Sequence, residues 1–324
     1  MRKETTSTLF GEDYENLEQG RVLPAVEAEE LERTVKADPW NFAARLKLIG
    51  FYRKLPSRAT ARALHLLWMI EHYPERYAWR QRALMAIDKE QYPAEFASAR
   101  ESWLRQVSIN PSNPDVLGNA GLFLINGEFD FGKKLLSAAC DLDEGDDFWP
   151  GELSIFCFVQ AQSEQQNMRS QEFEDSLKFG EQFLARYGSE GGRRTCAIRE
   201  RALIRCAQSA LFLDKIELAE HYANEAIQLI QSWNIKPKRG LSVLGLTALR
   251  RGELEVAQRV LLNSNNQYTP DLLDLKLANE LINHGEVSTV LSYLKCCQDL
   301  GLWQDRNLNR WIAALSQNEL HVLS

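Results

Sequence analysis

Pro39, Pro74 and Pro111 each close a stretch of helical periodicity, and they stand 35 and 37 residues apart. The residue before a proline is pushed out of the helical region, so Asp38, Tyr73 and Asn110 mark helix ends. A chain punctuated this way must build from short amphipathic helices. The segment Pro111 to Asp147 shows the unit most plainly. Val116, Ala120 and Phe123 share one helical face, Asn126-Gly127 breaks the helix, and Phe129, Gly132, Leu136 and Ala139 form a second apolar stripe. Such a pair cannot bury its apolar face alone and must stack on neighbours.

Pairs of this kind run along most of the chain. Helices are expected over residues 26–38, 40–52, 58–72, 78–89, 94–109, 149–162, 171–187, 193–213, 215–233, 241–250, 253–262, 272–283 and 286–297. A last helix over about 304–315 places Trp311 and Leu315 on one face as a cap, because the open end of a helical stack needs a polar-backed cover. Residues 1–25, with Glu12, Asp13, Glu15 and Glu18, read as a mobile acidic lead-in. The segment 234–240, carrying Pro237, is the clearest linker and a soft boundary in an otherwise single body over 26–324. No segment alternates polar and apolar residues between turns, so no strand is expected.

Small and large apolar residues at fixed offsets around a Gly turn resemble the tetratricopeptide (TPR) unit, whose period is about 34 residues. Gly252 and Gly285, 33 apart, carry the same likeness near the C-terminus. The resemblance implies an all-α, right-handed α-solenoid of about six or seven TPR-like helix pairs with a C-terminal capping helix. It also implies protein–protein interaction rather than one particular partner, since helical arrays serve many.

The net charge of −7 argues against phosphate-backbone binding, which needs clustered Lys and Arg, so no nucleic-acid partner is expected. The first twenty residues contain no apolar signal core, and no apolar run approaches the roughly 20 residues that span a bilayer. Six cysteines without a regular framework read as reduced, buried thiols. A cytoplasmic protein without a membrane partner is the expectation.

Motifs for chemistry come up short. His65 and His72 share a helix face, but without a third ligand or a Cys/His spacing they read as surface or rim histidines, and no metal is expected. From Asp141 the sixth residue is Asp146 rather than the Gly of a calcium loop. Gly188 to Gly192 lacks both a GxxxxGK pattern and a preceding strand, so it reads as a plain loop, and no cofactor is expected. Trp68 and Trp103 lie on apolar stripes and read as core rather than as base-stacking platforms, while Trp40 and Trp149 begin helices as loop anchors.

One local charge bias stands out: Arg193, Arg194, Arg199, Arg201 and Arg205. Arg194, Arg201, Arg205 and Gln208 fall on one helical face. In the TPR-like register from Glu200, Arg201 and Arg205 take places that line the concave groove in this family. In the carboxylate-clamp members, basic residues there grip a peptide's C-terminal carboxylate. The clamp also needs Lys and Asn in earlier repeats, where this chain has Leu117, Gly121 and the run Leu153–Val159. The expectation is therefore a non-catalytic scaffold or adaptor binding another protein, as an acidic extended peptide or partner helix. Apolar contacts would come from Leu117, Leu124 and Leu246, and Arg-to-carboxylate bonds would supply the polar ones. A solvated helix face is the other reading of the arginines. A peptide-sensing regulator and a hydrolase with a helical-barrel site are the rival functions.

Overall fold

The structure, a computed structural model, describes residues 2–163, 169–188, 193–234, 237–264, 273–299 and 306–317, with the backbone alone at 2–10, 169, 193, 194, 238 and 306. Every regular element among them is helical. Residues 189–192 of the loop expected over 188–192, and residues 235–236 of the linker, lie outside the described residues. The chain divides into two compact units, Met1–Pro150 and Gly151–Ser324. The soft boundary read at 234–240 does not separate bodies, since both of its sides belong to the second unit. A Cβ on Gly240 would come within 2.6 Å of Ile227, so the helices flanking that linker pack tightly.

The first unit contains α1 (Arg2–Val22), α2 (Ala25–Ala37), α3 (Phe42–Arg53), α4 (Ala59–His72), α5 (Arg82–Met85), α6 (Pro93–Ile109), α7 (Pro114–Leu124) and α8 (Phe129–Leu142). α2, α4 and α6 each end two residues before one of the three prolines that punctuate the sequence. Helix starts follow their side chains. Asn41 Oδ1 accepts the Ala44 N–H at 3.0 Å, and Asn113 Oδ1 accepts from Asp115 and Val116, each satisfying donors that helix ends leave open. α7 and α8 form the pair read from the sequence. They touch so closely that a Cβ on Gly132 would lie 2.5 Å from Ile125 Cα, so only glycine fits there. Trp79 and Trp103 meet edge to face at 4.8 Å in the core, and Phe96 stacks on Phe123.

Two expectations fail in this unit. Residues 78–89 do not form one helix but a 3-10 turn at Tyr77–Arg80 and the single turn α5. Trp79 is pinned by its indole N–H donating to Tyr73 O, and the buried Arg62 guanidinium takes the carbonyls of Leu84 and Ala86. The backbone acceptors that would continue a helix are thus satisfied by side chains. Nor is the N-terminal stretch a mobile lead-in. α1 packs along α3, with Leu17 fully buried.

The second unit contains most of α9 (Phe148–Ser163), then α10 (Arg169–Arg186), α11 (Arg193–Phe212), α12 (Ile216–Gln231), α13 (Lys238–Arg250), α14 (Leu254–Asn263), α15 (Leu275–Asn283), α16 (Val287–Asp299) and α17 (Arg306–Ser316). Its helices pack neighbour to neighbour: α11 on α12 and α13, α13 on α14 and α15. Three successive pairs turn with the same cap. Asp214, Gly252 and Gly285 sit at φ 58°, 77° and 84°. The next N–H reaches five residues back in each, from Lys215 to Ala210 O, Glu253 to Ala248 O and Glu286 to Leu281 O. That 6→1 bond with a left-handed residue is the Schellman closure. Small residues, Ala207, Ala210, Ala219, Ala223 and Ala257, bring these helices together. Leu308, Trp311 and Leu315 of α17 bury themselves against the last pair, the covering role expected of a terminal helix. No described helix is long and apolar enough to cross a membrane.

Candidate functional site

α11 is a twenty-residue helix whose inner side, with Ala202, Leu203, Cys206, Ala207 and Ala210, belongs to the core. Its other side presents residues 201, 205, 208 and 212, one stripe at i, i+4, i+7 and i+11. Arg201 is exposed, Arg205 and Gln208 are half-buried, and Phe212 is 44% exposed. Arg194 lies in the first turn of the same helix, but its side chain is outside the described residues.

The basic run divides by partner. Arg199 donates to the carbonyls of Leu184 and Tyr187 and pairs with Glu225 at 3.1 Å, so it ties α10, α11 and α12 together. Arg205 Nε donates to Ser154 Oγ at 2.8 Å. Below it, Ser154 Oγ donates to Ser176 O, Ser176 Oγ returns a bond to Ser154 O, and Ser209 Oγ donates to Ser176 Oγ. All three serines are fully buried, and the guanidinium caps their network. Burial is the main influence on Arg205 and loosens its hold on its proton, partly offset by Cys206 and Glu152. Among the described residues Arg201 has no such hydrogen-bonded anchor, only the charge of its neighbour Glu200. Its buried neighbour Glu200 lies 3.6 Å from Arg239 instead, and burial pushes the Glu200 carboxyl up. Arg201 therefore carries the outward charge.

At the end of the stripe Phe212 stacks on Phe173 at 4.1 Å with the rings nearly parallel, and Phe158 meets Phe173 edge-on at 5.9 Å. Lys276 Nζ, at the start of α15, lies 4.6 Å from the Phe212 ring centre. Val159 is 56% exposed on α9. Sequence reasoning missed Phe212 and Lys276. Phe212 was legible as the next place on the 201–205–208 face, whereas Lys276 is brought near by packing alone.

The apolar part of the expected groove is not there. Leu117 and Leu124 are buried in α7 of the first unit, and Leu246 is buried in the core of the second. Their side chains are occupied by internal packing, because α7 is covered on every face over residues 116–124.

A second polar constellation lies in the first unit, where the surface reading of His65 fails. His65 is buried beneath α2 and α3. Arg45 Nη1 donates to His65 Nδ1 at 3.3 Å, which leaves Nε2 protonated and donating to Glu32 Oε1 at 3.0 Å. Tyr52 O–H donates to the same Glu32 oxygen at 2.7 Å. Burial is the largest influence on His65 and holds it below its ordinary range, against the pull of Glu32. Burial would raise Glu32, but the bonds from Tyr52 and His65 outweigh it and hold that carboxyl low. The Arg45 guanidinium also anchors on Pro39 O and stacks over Trp68 at 3.9 Å. Trp68 is thus half-buried on a cation rather than core, while Trp103 is core as expected. Trp149 is fully buried with the Arg80 guanidinium over its ring, more than a loop anchor. Among the described residues no group of three or more His, Cys, Asp or Glu side chains is placed to hold a metal ion.

No protein-family model matches this chain, and no curated protein matches it in sequence.

Proposed function

We propose that the chain is a non-catalytic interaction scaffold of about six or seven TPR-like helix pairs in a right-handed solenoid. Its ligand is an acidic peptide or partner helix laid along α11. The observation that carries this reading is the stripe itself, where an unanchored arginine and a lysine-flanked, exposed phenylalanine lie on one helix face. In a chain of net charge −7, such a face selects acidic ligands against the background of the rest of the surface. Arg201 and Lys276 supply charge-assisted bonds to carboxylates, and Phe212 supplies apolar contact. A charge-assisted bond contributes roughly 1.5–3 kcal/mol.

The test is fluorescence anisotropy with labelled peptides of three compositions: acidic with phenylalanine, acidic without, and basic with phenylalanine. The proposal expects the first to bind best and to weaken as salt is raised. Equal binding of all three, or preference for the basic peptide, would contradict it.

A further inference from the structure

We propose that α1 is a displaceable internal ligand. The surface beneath it is a docking site for a partner helix that offers a carboxylate, a leucine and a glycine at i, i+4 and i+7. Within Gly11–Val22 only three residues are buried, Asp13, Leu17 and Gly20, one narrow line down an otherwise polar helix. Each meets a matched feature. Asp13 is 2% exposed and accepts from Arg76 Nε and Nη2, both at 3.1 Å. Gly20 lies against the Lys47 carbonyl, and Gly50 of α3 lies against the Leu17 carbonyl, so the two backbones touch where any side chain would hold them apart. Lys54 Nζ caps the far end by donating to Arg21 O at 2.7 Å.

Around the buried Leu17 the contact is made by an ion pair and by close backbone approach, features that select a particular helix. Buried ion pairs fix register and partner more than they stabilise. The apolar cluster that joins α2 to α3, with Ala28, Val35, Ala44, Leu48 and Phe51, contains no α1 residue. A two-residue connection, Leu23-Pro24, links α1 to α2, with Pro24 extended at φ −67° and ψ 150°. α1 packs on α3 and on the 3-10 turn after Arg76. Its release leaves the α2–α3 cluster whole and exposes Arg76 and the glycine notch at Gly50. Arg76, held over the Phe42 ring at 4.6 Å, then offers its guanidinium to a carboxylate, and the notch admits only a helix with glycine at the crossing.

The experiment alters the occupant and leaves the surface intact. Full-length Gly20→Leu and, independently, Asp13→Lys are probed with a labelled peptide of residues 2–22. Both variants should keep the helical circular dichroism of the remaining chain and be cut faster by protease ahead of residue 23. Each should bind the peptide at least ~10-fold more tightly than wild type, whose own α1 holds the site at an effective concentration on the order of millimolar. The same peptide carrying Asp13→Lys should not bind. Three results would overturn the proposal: release of α1 without peptide binding, loss of the helical signal in both variants, or a wild-type chain that exchanges α1 as a dimer with itself.

Discussion

Arg201 and Arg205 stand one helical turn apart, yet their surroundings give them different work. Arg205 caps three buried serines, so Arg205→Ala leaves Ser154 short of a donor and removes the packed stem, at a cost of about 1–3 kcal/mol. Arg201→Ala removes an exposed side chain and should stay within about 0.5 kcal/mol. Urea denaturation of the two variants checks this, and equal costs would contradict it. The sequence placed both residues on one face correctly but could not tell them apart, because the serines that receive Arg205 come from α9, α10 and α11. His65 was misread for a related reason. Glu32, Arg45 and Tyr52 come from α2 and α3, and only packing brings them around the ring. Held below its ordinary range by burial, His65 takes up its proton more readily in the unfolded chain. Stability therefore falls as pH drops below the ordinary histidine value of about 6.5. Glu32, held low, adds loss in the same direction at more acid pH. His65→Gln keeps an amide in place of the ring without the titration. The thermal midpoint of the variant should change less than that of wild type between neutral pH and about pH 5, and parallel profiles would contradict the assignment.

At the scale of elements, what the sequence shows well is what local chemistry controls. Prolines stop α2, α4 and α6, asparagines start α3 and α7, and glycines close α13 and α15 with left-handed caps. It shows poorly what distant contacts control. Tyr77–Met85 has helical spacing, but Arg62 from α4 takes its carbonyls. α1 has too little apolar periodicity to reveal itself, since among its described side chains the buried line is Asp13, Leu17 and Gly20. α17 is the opposite case: Trp311 and Leu315 share a face that is legible in the sequence, and the structure buries them together with Leu308. Trp311→Ala should cost about 3–5 kcal/mol, as truncation of a buried aromatic does. A thermal midpoint unchanged from wild type would show that α17 does not cover the last pair.

The molecule divides into two compact units, Met1–Pro150 and Gly151–Ser324, in which every regular element among the described residues is helical. That boundary falls inside the continuous helix α9, which carries the chain across it although an acidic run, Asp141 to Asp147, and the pair Pro150-Gly151 stand there in the sequence. The second unit repeats one cap geometry three times, and it carries the candidate binding face on α11. The leucines expected beside that face are buried in the core, which leaves Arg201, Phe212 and Lys276 as its exposed binding groups. The most direct measurement is the affinity of a labelled peptide of alternating glutamates and phenylalanines for the full-length chain and for Arg201→Ala/Phe212→Ala. The double variant should bind at least ~10-fold more weakly, because one charge-assisted bond alone is worth about a factor of ten. Its helical circular dichroism should match that of wild type. Unchanged affinity in a folded double variant would contradict the assignment of α11 as the binding face.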